Sequence, residues 1–310
     1  MLSICIPTLN RPGYLYKALV SVYHQKMDSI EFEVCISNNN SDADYSEVEL
    51  FIDKIGIEHK NIRYIRQKER KSIDEHMHDV IKMAGGDYLY LLGDDDFFEK
   101  DAFGKLSELI ANKVDLAVLN ANWVDADGKF LFPVHDTPVR LDGLSIYEKY
   151  LALYNKCTFG ALLVRKKLIR DDYFRILYHT SHAYSCFWLE ILNSGNDYKV
   201  VFQKGNPVVN LRSAEKNYNL VNVVFKDVHL YFKMLLKHVK NEEGRSYIYK
   251  AYKKYKERNA SIRFLCLLQK KGFKINQISY ADRMQNTLYF QFKKYVSYIF
   301  FKCLVIVRIV

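Results

Sequence analysis

The chain has 310 residues, 49% hydrophobic and 26% charged, with 24 Tyr, 19 Phe and only 5 Pro; this excludes disordered, collagenous and repeat proteins and allows one large domain or two modest ones. The net charge of +10 is unevenly placed, since residues 226–310 hold 19 Lys/Arg against 5 Asp/Glu while residues 1–225 hold 27 against 31. A basic C-terminal third points to a polyanionic partner, either nucleic acid or an anionic membrane surface.

LSICIP (2–7) is an apolar, β-branched run stopped by Pro7, which reads as a buried strand. No basic segment precedes it, so a first strand is expected there and not a signal peptide. Leu15, Leu19 and Val22 fall on one face of a predicted helix over 13–24. FEVCIS (32–37) is a second strand ending in three asparagines, and 47–55 is a helix. NIRYIR (61–66) is a third strand, and 73–84 is a helix closed by Gly85-Gly86. DYLYLL (87–92) is a fourth strand, followed by a helix over 102–111. Strands alternating with helices of about ten residues indicate an α/β fold with a mostly parallel central sheet flanked by helices. Such sheets bind ligands at the carboxyl ends of their strands. Those ends are PTLNR (7–11), SNNNSD (37–42) and GDDD (93–96).

Beyond residue 115 the alternation loosens. LAVLNANWV (116–124), FLFPVHD (130–136) and FGALLVR (159–165) read as strands, and SHAYSCFWLEILNSG (181–195) as a helix with a glycine stop. KVVFQKGNPVVNLR (199–212) reads as a strand pair broken at 205–207. From about 220 onward the pattern is helical and basic. In its last stretch, 289–310, Lys293, Lys294, Lys302 and Arg308 interrupt every window of the ~20 apolar residues that a membrane-spanning helix needs. An interfacial amphipathic helix is expected there, with a helix packed on the core as the alternative. The six cysteines show no C-x-x-C pair and no metal-ligand spacing, which reads as a reduced, cytosolic protein without a disulfide framework.

Asp94, Asp95 and Asp96 pose the chemical question. Three adjacent carboxylates repel by about 1 kcal/mol per close pair even in a water-like dielectric, and by more in a cleft. A hard divalent cation, Mg²⁺ or Mn²⁺, removes that cost and completes its shell with phosphate oxygens. The alternative is a solvated acidic turn, with Asp96 capping a helix that starts at Phe97.

SICIPTLNR, CISNNNSD, NIRYIRQ and MAGGDYLYLLGDDDFF resemble, in order and spacing, the family 2 glycosyltransferases of the GT-A fold. LGDDD and SNNNS look most like bacterial O-antigen and capsule transferases of the abequosyltransferase type. The likeness is specific over residues 1–100, looser to about 215 and absent in the basic tail. It implies a Rossmann-like GT-A domain with a basic helical extension. Residues 1–115 would form the nucleotide-sugar half, 116–219 the acceptor half, and 220–310 a membrane-associating region. It also implies a donor nucleotide sugar (a UDP-sugar first), a glycan or lipid-linked acceptor, no nucleic acid, and a peripheral place on the cytoplasmic face of the cell membrane.

The resemblance assigns residues as well. Pro7, Thr8, Asn10 and Arg11 match the loop that holds the nucleoside. Asn38 and Asn39 stand where an acidic pair usually meets the base. Asp74 and His76 fall beside the nucleotide, and Arg212, with Lys216 as second choice, near the diphosphate. Gly93 takes the place of the family's first acid. Asp95 thereby becomes the leading metal ligand, supported by Asp94 and Asp96. The helix expected to supply the base has no acid at the usual position. Counting back from Gly195 reaches His182, whose pKa near 6.5 suits proton abstraction from an acceptor hydroxyl. His179, Glu190 and the Asp171-Asp172 pair are its rivals. Trp188 and Tyr184 are candidates for an acceptor platform, with a core role for Trp188 as the alternative.

Other classes fit less well. GDD also occurs in polymerase palms, where the acids lie on a hairpin between antiparallel strands, but here a helix-like segment with no strand partner follows. A nucleotidyltransferase lacks its glycine-rich loop, since PTLNRPG holds one Gly. A catalytically degenerate, membrane-bound scaffold is the non-enzymatic alternative.

Overall fold

The computed structural model describes residues 1–26, 30–135, 138–212 and 222–259. Lys216 and the apolar stretch 289–310 lie outside the described residues. The chain forms two compact units: one from Met1–His179 and Ala183–Lys216, the other from Thr180–His182 and Asn217–Val310.

In the first unit, four strands and four helices alternate as expected: β1 (Leu2–Thr8), α1 (Pro12–Tyr23), β2 (Phe32–Asn38), α2 (Ser46–His59), β3 (Ile62–Arg66), α3 (Ile73–Met83), β4 (Tyr88–Leu91) and, beyond β5 (Phe97–Phe98), α4 (Ala102–Ala111). β6 (Leu116–Val118), β7 (Ala121–Val124), β8 (Phe130–Pro133), α5 (Ile146–Leu153), β9 (Leu162–Arg165), α6 (Asp171–Ile176), α7 (Phe187–Ser194), β10 (Val200–Phe202) and β11 (Val209–Arg212) complete it. A seven-stranded sheet runs β10-β6-β9-β4-β1-β2-β3, and a four-stranded sheet runs β5-β11-β7-β8. The large sheet is parallel except at β9, which is antiparallel to both β4 and β6.

β1 and β2 read as continuous apolar runs because both faces of a parallel sheet are covered. Leu2, Ile4 and Ile6 of β1 and Val34 and Ile36 of β2 pack with Leu15, Leu19 and Val22 of α1. Pro7 is tolerated in this inner strand because β4 pairs with β1 only as far as Cys5. α3 begins with a capping box, Ser72 to Glu75, and α5 with another, Ser145 to Glu148.

Several expectations are corrected. LAVLNANWV is two strands in two sheets, with Asn120 at the crossing, where its Nδ2 donates to Gly205 O at 2.7 Å. Asn120 is the polar break between the apolar residues 116–119 and the second strand. β10 and β11 likewise belong to different sheets and do not pair with each other. Asp96 caps no helix, because Phe97-Phe98 is a two-residue strand antiparallel to β11 and the next helix begins at Ala102. The segment after the acids therefore has a strand partner, yet β4 and β5 lie in separate sheets, unlike the two strands of a palm hairpin. In 181–195 only Phe187–Ser194 is α-helical, and Ala183–Ser185 is a 3₁₀ turn.

Among its described residues the second unit has a π turn at Val223–Asp227 and two helices, α8 (Val228–His238) and α9 (Glu242–Asn259). Phe232 stacks on Tyr252 at 4.9 Å, and the Tyr252 hydroxyl bonds His229 Nδ1 at 2.8 Å. No helix among the described residues is long and apolar enough to cross a membrane.

Candidate active site

The carboxyl ends of β1, β2 and β4 meet, and the contacts between them are polar. Thr8 Oγ1 donates to Asp94 Oδ2 at 2.8 Å, and the Leu9 amide reaches the same oxygen at 3.4 Å. With the Thr8 proton committed, the Tyr45 hydroxyl is the donor in its 2.8 Å bond to Thr8 Oγ1. The Tyr45 oxygen in turn accepts the Arg11 amide at 3.0 Å. This chain fixes the 8–11 loop against the acids. Tyr45 carried no signal in the sequence; only its position after the asparagine loop hints at it.

Arg11 Nη1 lies 3.3 Å from Asp94 Oδ1 and 3.1 Å from Asp95 Oδ2. Burial and the neighbouring Asp95 charge push the Asp94 carboxyl up to about 6, against the pull of Arg11 and Thr8. A folded-state value above the ordinary one means that charged Asp94 opposes folding near neutrality, by on the order of 3 kcal/mol; the cost fades as pH falls toward 4. A buried acid kept at such a cost makes this position a candidate for function.

Asp96 is held differently. Its Oδ1 accepts the Arg212 amide at 2.9 Å, and Oδ2 lies over two glycines. A Cβ at Gly93 would stand 2.5 Å from that oxygen, and one at Gly160 2.6 Å from it. A side chain at 93 therefore requires the Asp96 carboxylate to shift from this position. Gly160 also has φ +86, which a side chain would strain, and its carbonyl accepts the buried Tyr90 hydroxyl at 2.6 Å. Arg212 is buried. Its Nε donates to Asp95 O at 2.9 Å, its Nη1 to Ala126 O, and its guanidinium lies 5.2 Å from the Tyr14 ring and 5.1 Å from that of Phe97. It locks the backbone of the acid loop.

Thr8, Arg11, Asp94, Asp95, Asp96 and Arg212 thus form one cluster. The other predicted residues brace the surroundings. Asn10, at φ 58, accepts the Asp42 amide at 2.7 Å. Asn38 accepts the Ser41 amide at 3.0 Å and donates to the Tyr64 hydroxyl at 2.8 Å. Asn39 bonds both the N–H and the C=O of Lys71, at 2.9 and 3.0 Å. Both amides are buried. Asp74 is buried and accepts the Ala183 amide at 3.1 Å. His76 Nε2 meets Ser37 O at 2.8 Å, and burial lowers its pKa to about 4, so the neutral ring donates there. A groove of about 560 Å³ between α2 and β3, lined by residues such as Glu49, Ile57 and Tyr64, lies apart from Asp94–Asp96.

Of the candidate bases, His182 belongs to the second unit. Its Nδ1 meets Thr180 O at 2.8 Å, a contact only an N–H can make, so Nε2 carries the basic lone pair. Burial pushes its pKa down and keeps the ring neutral. The ring lies 5.7 Å from that of Tyr231. The rivals are tied up: Asp171 with His78 and Arg175, Asp172 with Arg170, and Glu190 with Arg170 and the Tyr198 hydroxyl. His179 is exposed at φ 67. Trp188 is 1% exposed and meets Tyr150 edge-on at 5.0 Å, so it is a core residue. Tyr184 is also buried, its hydroxyl donating to Cys157 O at 3.1 Å.

The donor set suits a hard divalent ion that shares its shell with a ligand. Asp95 Oδ1 has no hydrogen bond among the described residues, while Oδ2 meets only Arg11. Among the described residues no group of three or more His, Cys, Asp or Glu side chains, the three aspartates included, is arranged to hold a metal ion by itself. One or two carboxylates, with phosphate oxygens supplying the remainder, is the usual arrangement for Mg²⁺ and Mn²⁺.

Comparison with known proteins gives three findings. The family model described as "Glycosyl transferase family 2" matches residues 3–174, more than half of the chain. In sequence the chain is similar to the abequosyltransferase RfbV of Salmonella typhimurium, 29% identical over 120 residues, covering 37% of this chain and 34% of that protein. It is also similar to the chondroitin synthase of Escherichia coli, 26% identical over 142 residues, covering 45% and 20%. The matches thus span about a third of the first relative and a fifth of the second. In structure it resembles S. aureus TarS 1–349 in complex with UDP-GlcNAc, with TM-score 0.60 at 15% identity, over 83% of this chain and 72% of that one. At that identity the likeness shows the fold.

Proposed function

The chain belongs to glycosyl transferase family 2, and from that membership we propose that it is a metal-dependent, inverting glycosyltransferase. It would move a sugar from a nucleotide-sugar donor, a UDP-sugar first, to a glycan or lipid-linked acceptor in the synthesis of a bacterial surface polysaccharide. The observation that carries the reading is the gathering of three carboxylates with Arg11 and Thr8 at converging parallel strand ends. The relatives' names, an abequosyltransferase and a chondroitin synthase, both bacterial, support saccharide transfer.

In this proposal Asp95, with Asp94 and Asp96 beside it, holds Mn²⁺ or Mg²⁺. Such an ion, when bound, stabilises the charge of the departing diphosphate. Thr8, Asn10 and Arg11 shape the nucleoside loop, with Asn38 and Asn39 toward the base and Asp74 beside the nucleotide. Arg212 fixes the acid loop and adds positive charge. His182 takes the proton of the acceptor hydroxyl as that oxygen attacks the anomeric carbon. The bond from that carbon to the diphosphate oxygen breaks on the opposite face, which inverts the centre.

A screen of nucleotide sugars tests this. One donor is expected to raise the melting temperature only when Mn²⁺ or Mg²⁺ is present, and then to release nucleoside diphosphate slowly. No donor binding and no release with either ion would defeat the proposal. The glycine at 93 and the missing acid in the base helix favour a second reading, an inert scaffold. Binding without release, with or without acceptor, would support it.

A place on the cytoplasmic face of the membrane is also part of the proposal. Its support in the described residues is α9, where Lys250, Lys253, Lys254 and Arg258 are exposed beside Tyr249. A chain ending at residue 285 keeps α9 and is expected to sediment much less with anionic vesicles while keeping donor hydrolysis. Undiminished sedimentation would remove the segment 286–310 as the anchor.

A further inference from the structure

Arg11 stands where a second positive charge would be most useful to the acids. Its Nη1 is within 3.3 Å of one oxygen of Asp94 and 3.1 Å of one oxygen of Asp95. The site holds five fixed charges, those of Asp94, Asp95, Asp96, Arg11 and Arg212, with a sum of −1. The two arginines are not equivalent. Arg212 is tied to two backbone carbonyls and lies near two aromatic rings, so moving it would unpair buried carbonyls. Arg11 Nη1 is paired with carboxylates, partners that a divalent ion also takes.

We propose that Arg11 is the site's internal counter-cation, which competes with the divalent ion for Asp94 and Asp95 and couples loading of the ion to arrival of the diphosphate. This rests on the metal-dependent reading above. A divalent ion alone must bind beside a guanidinium or displace it from its carboxylates, and both are unfavourable. A nucleoside diphosphate changes this, because its phosphate oxygens give Arg11 an anion to pair with once the ion holds the aspartates. Ion and nucleotide therefore bind cooperatively, and by thermodynamic linkage each strengthens the other by the same factor. The arrangement keeps a buried acidic loop from collecting free metal in the absence of donor.

The test uses the full chain, Mn²⁺ and UDP, with free Mn²⁺ read by electron paramagnetic resonance. Arg11→Met removes the charge and keeps the length. It is expected to bind Mn²⁺ alone about tenfold more tightly than the unaltered chain, and to lose most of the enhancement that UDP gives. Arg11→Lys keeps the charge and is expected to stay near the unaltered chain in Mn²⁺ affinity. If Arg11→Met, melting normally, binds Mn²⁺ alone no more tightly, the competition is overturned while the metal reading stands. If it loses Mn²⁺ binding together with its melting temperature, Arg11 is a structural peg and the proposal also falls. If neither chain binds Mn²⁺ with or without UDP, the metal reading itself fails and takes this inference with it.

Discussion

Asp95→Asn is expected to lower sugar transfer by about three orders of magnitude or more while shifting the melting temperature by no more than a few degrees. The two halves of that expectation come from different atoms of one residue. The Asp95 backbone carbonyl, which Arg212 Nε grips at 2.9 Å, is untouched by the substitution, so the acid loop keeps its lock. The side chain contributes one ion pair to Arg11 and an oxygen without a hydrogen bond among the described residues. An amide fills the same space and lacks the charge that a hard cation needs. Asp96 offers no such clean test, because its carboxylate accepts the Arg212 amide over two glycines, and its loss would disturb the loop. Full transfer by Asp95→Asn would rule out the metal role.

His182→Ala is expected to cost ~10²–10⁴ in the rate of transfer. A base must be neutral before it acts, and burial, which lowers the pKa of this ring, favours that state. Because the shift is downward, the proton is held only at pH below the ordinary imidazole range, so the rate should keep its plateau further into acid than an unperturbed histidine allows. His182→Gln separates chemistry from structure. Its amide can still donate to Thr180 O, as Nδ1 does at 2.8 Å, but cannot take a proton. Equal loss in both variants supports the base role. Recovery in the glutamine variant would make His182 a brace for its own turn, and near-normal rates in both would dismiss it.

The first hundred residues were legible because each element has room to show its period. β1 and β2 are seven residues each, α1 and α3 carry clear apolar faces, and Ser72 with Glu75 forms the capping box that starts α3. Clarity is lost at β5 and again after residue 115, for physical reasons. A two-residue strand such as β5 has no period to detect, and the passage between sheets at Asn120 falls inside a stretch that reads as one strand. The acids were visible as a repulsive cluster, and their placement at a strand end could be inferred from the alternation before them. What supports them was not visible. Tyr45 acts through a hydroxyl 37 residues from Thr8, and Gly160 through the absence of a side chain beside Asp96. Such roles depend on long-range approach, which leaves no local pattern. Gly93 is the instructive case: as a departure from a motif it looked like a lost ligand, and in the fold it is the space that Asp96 occupies.

Asp94–Asp96 are proposed to hold a cation-bridged diphosphate. Calorimetric titration of UDP into the full chain, first with Mn²⁺ and then with the ion chelated, tests it most directly. Binding is expected to weaken at least tenfold on chelation and to be already weak, with or without Mn²⁺, in Asp95→Asn. UDP affinity that is indifferent to the ion and to the substitution would contradict it.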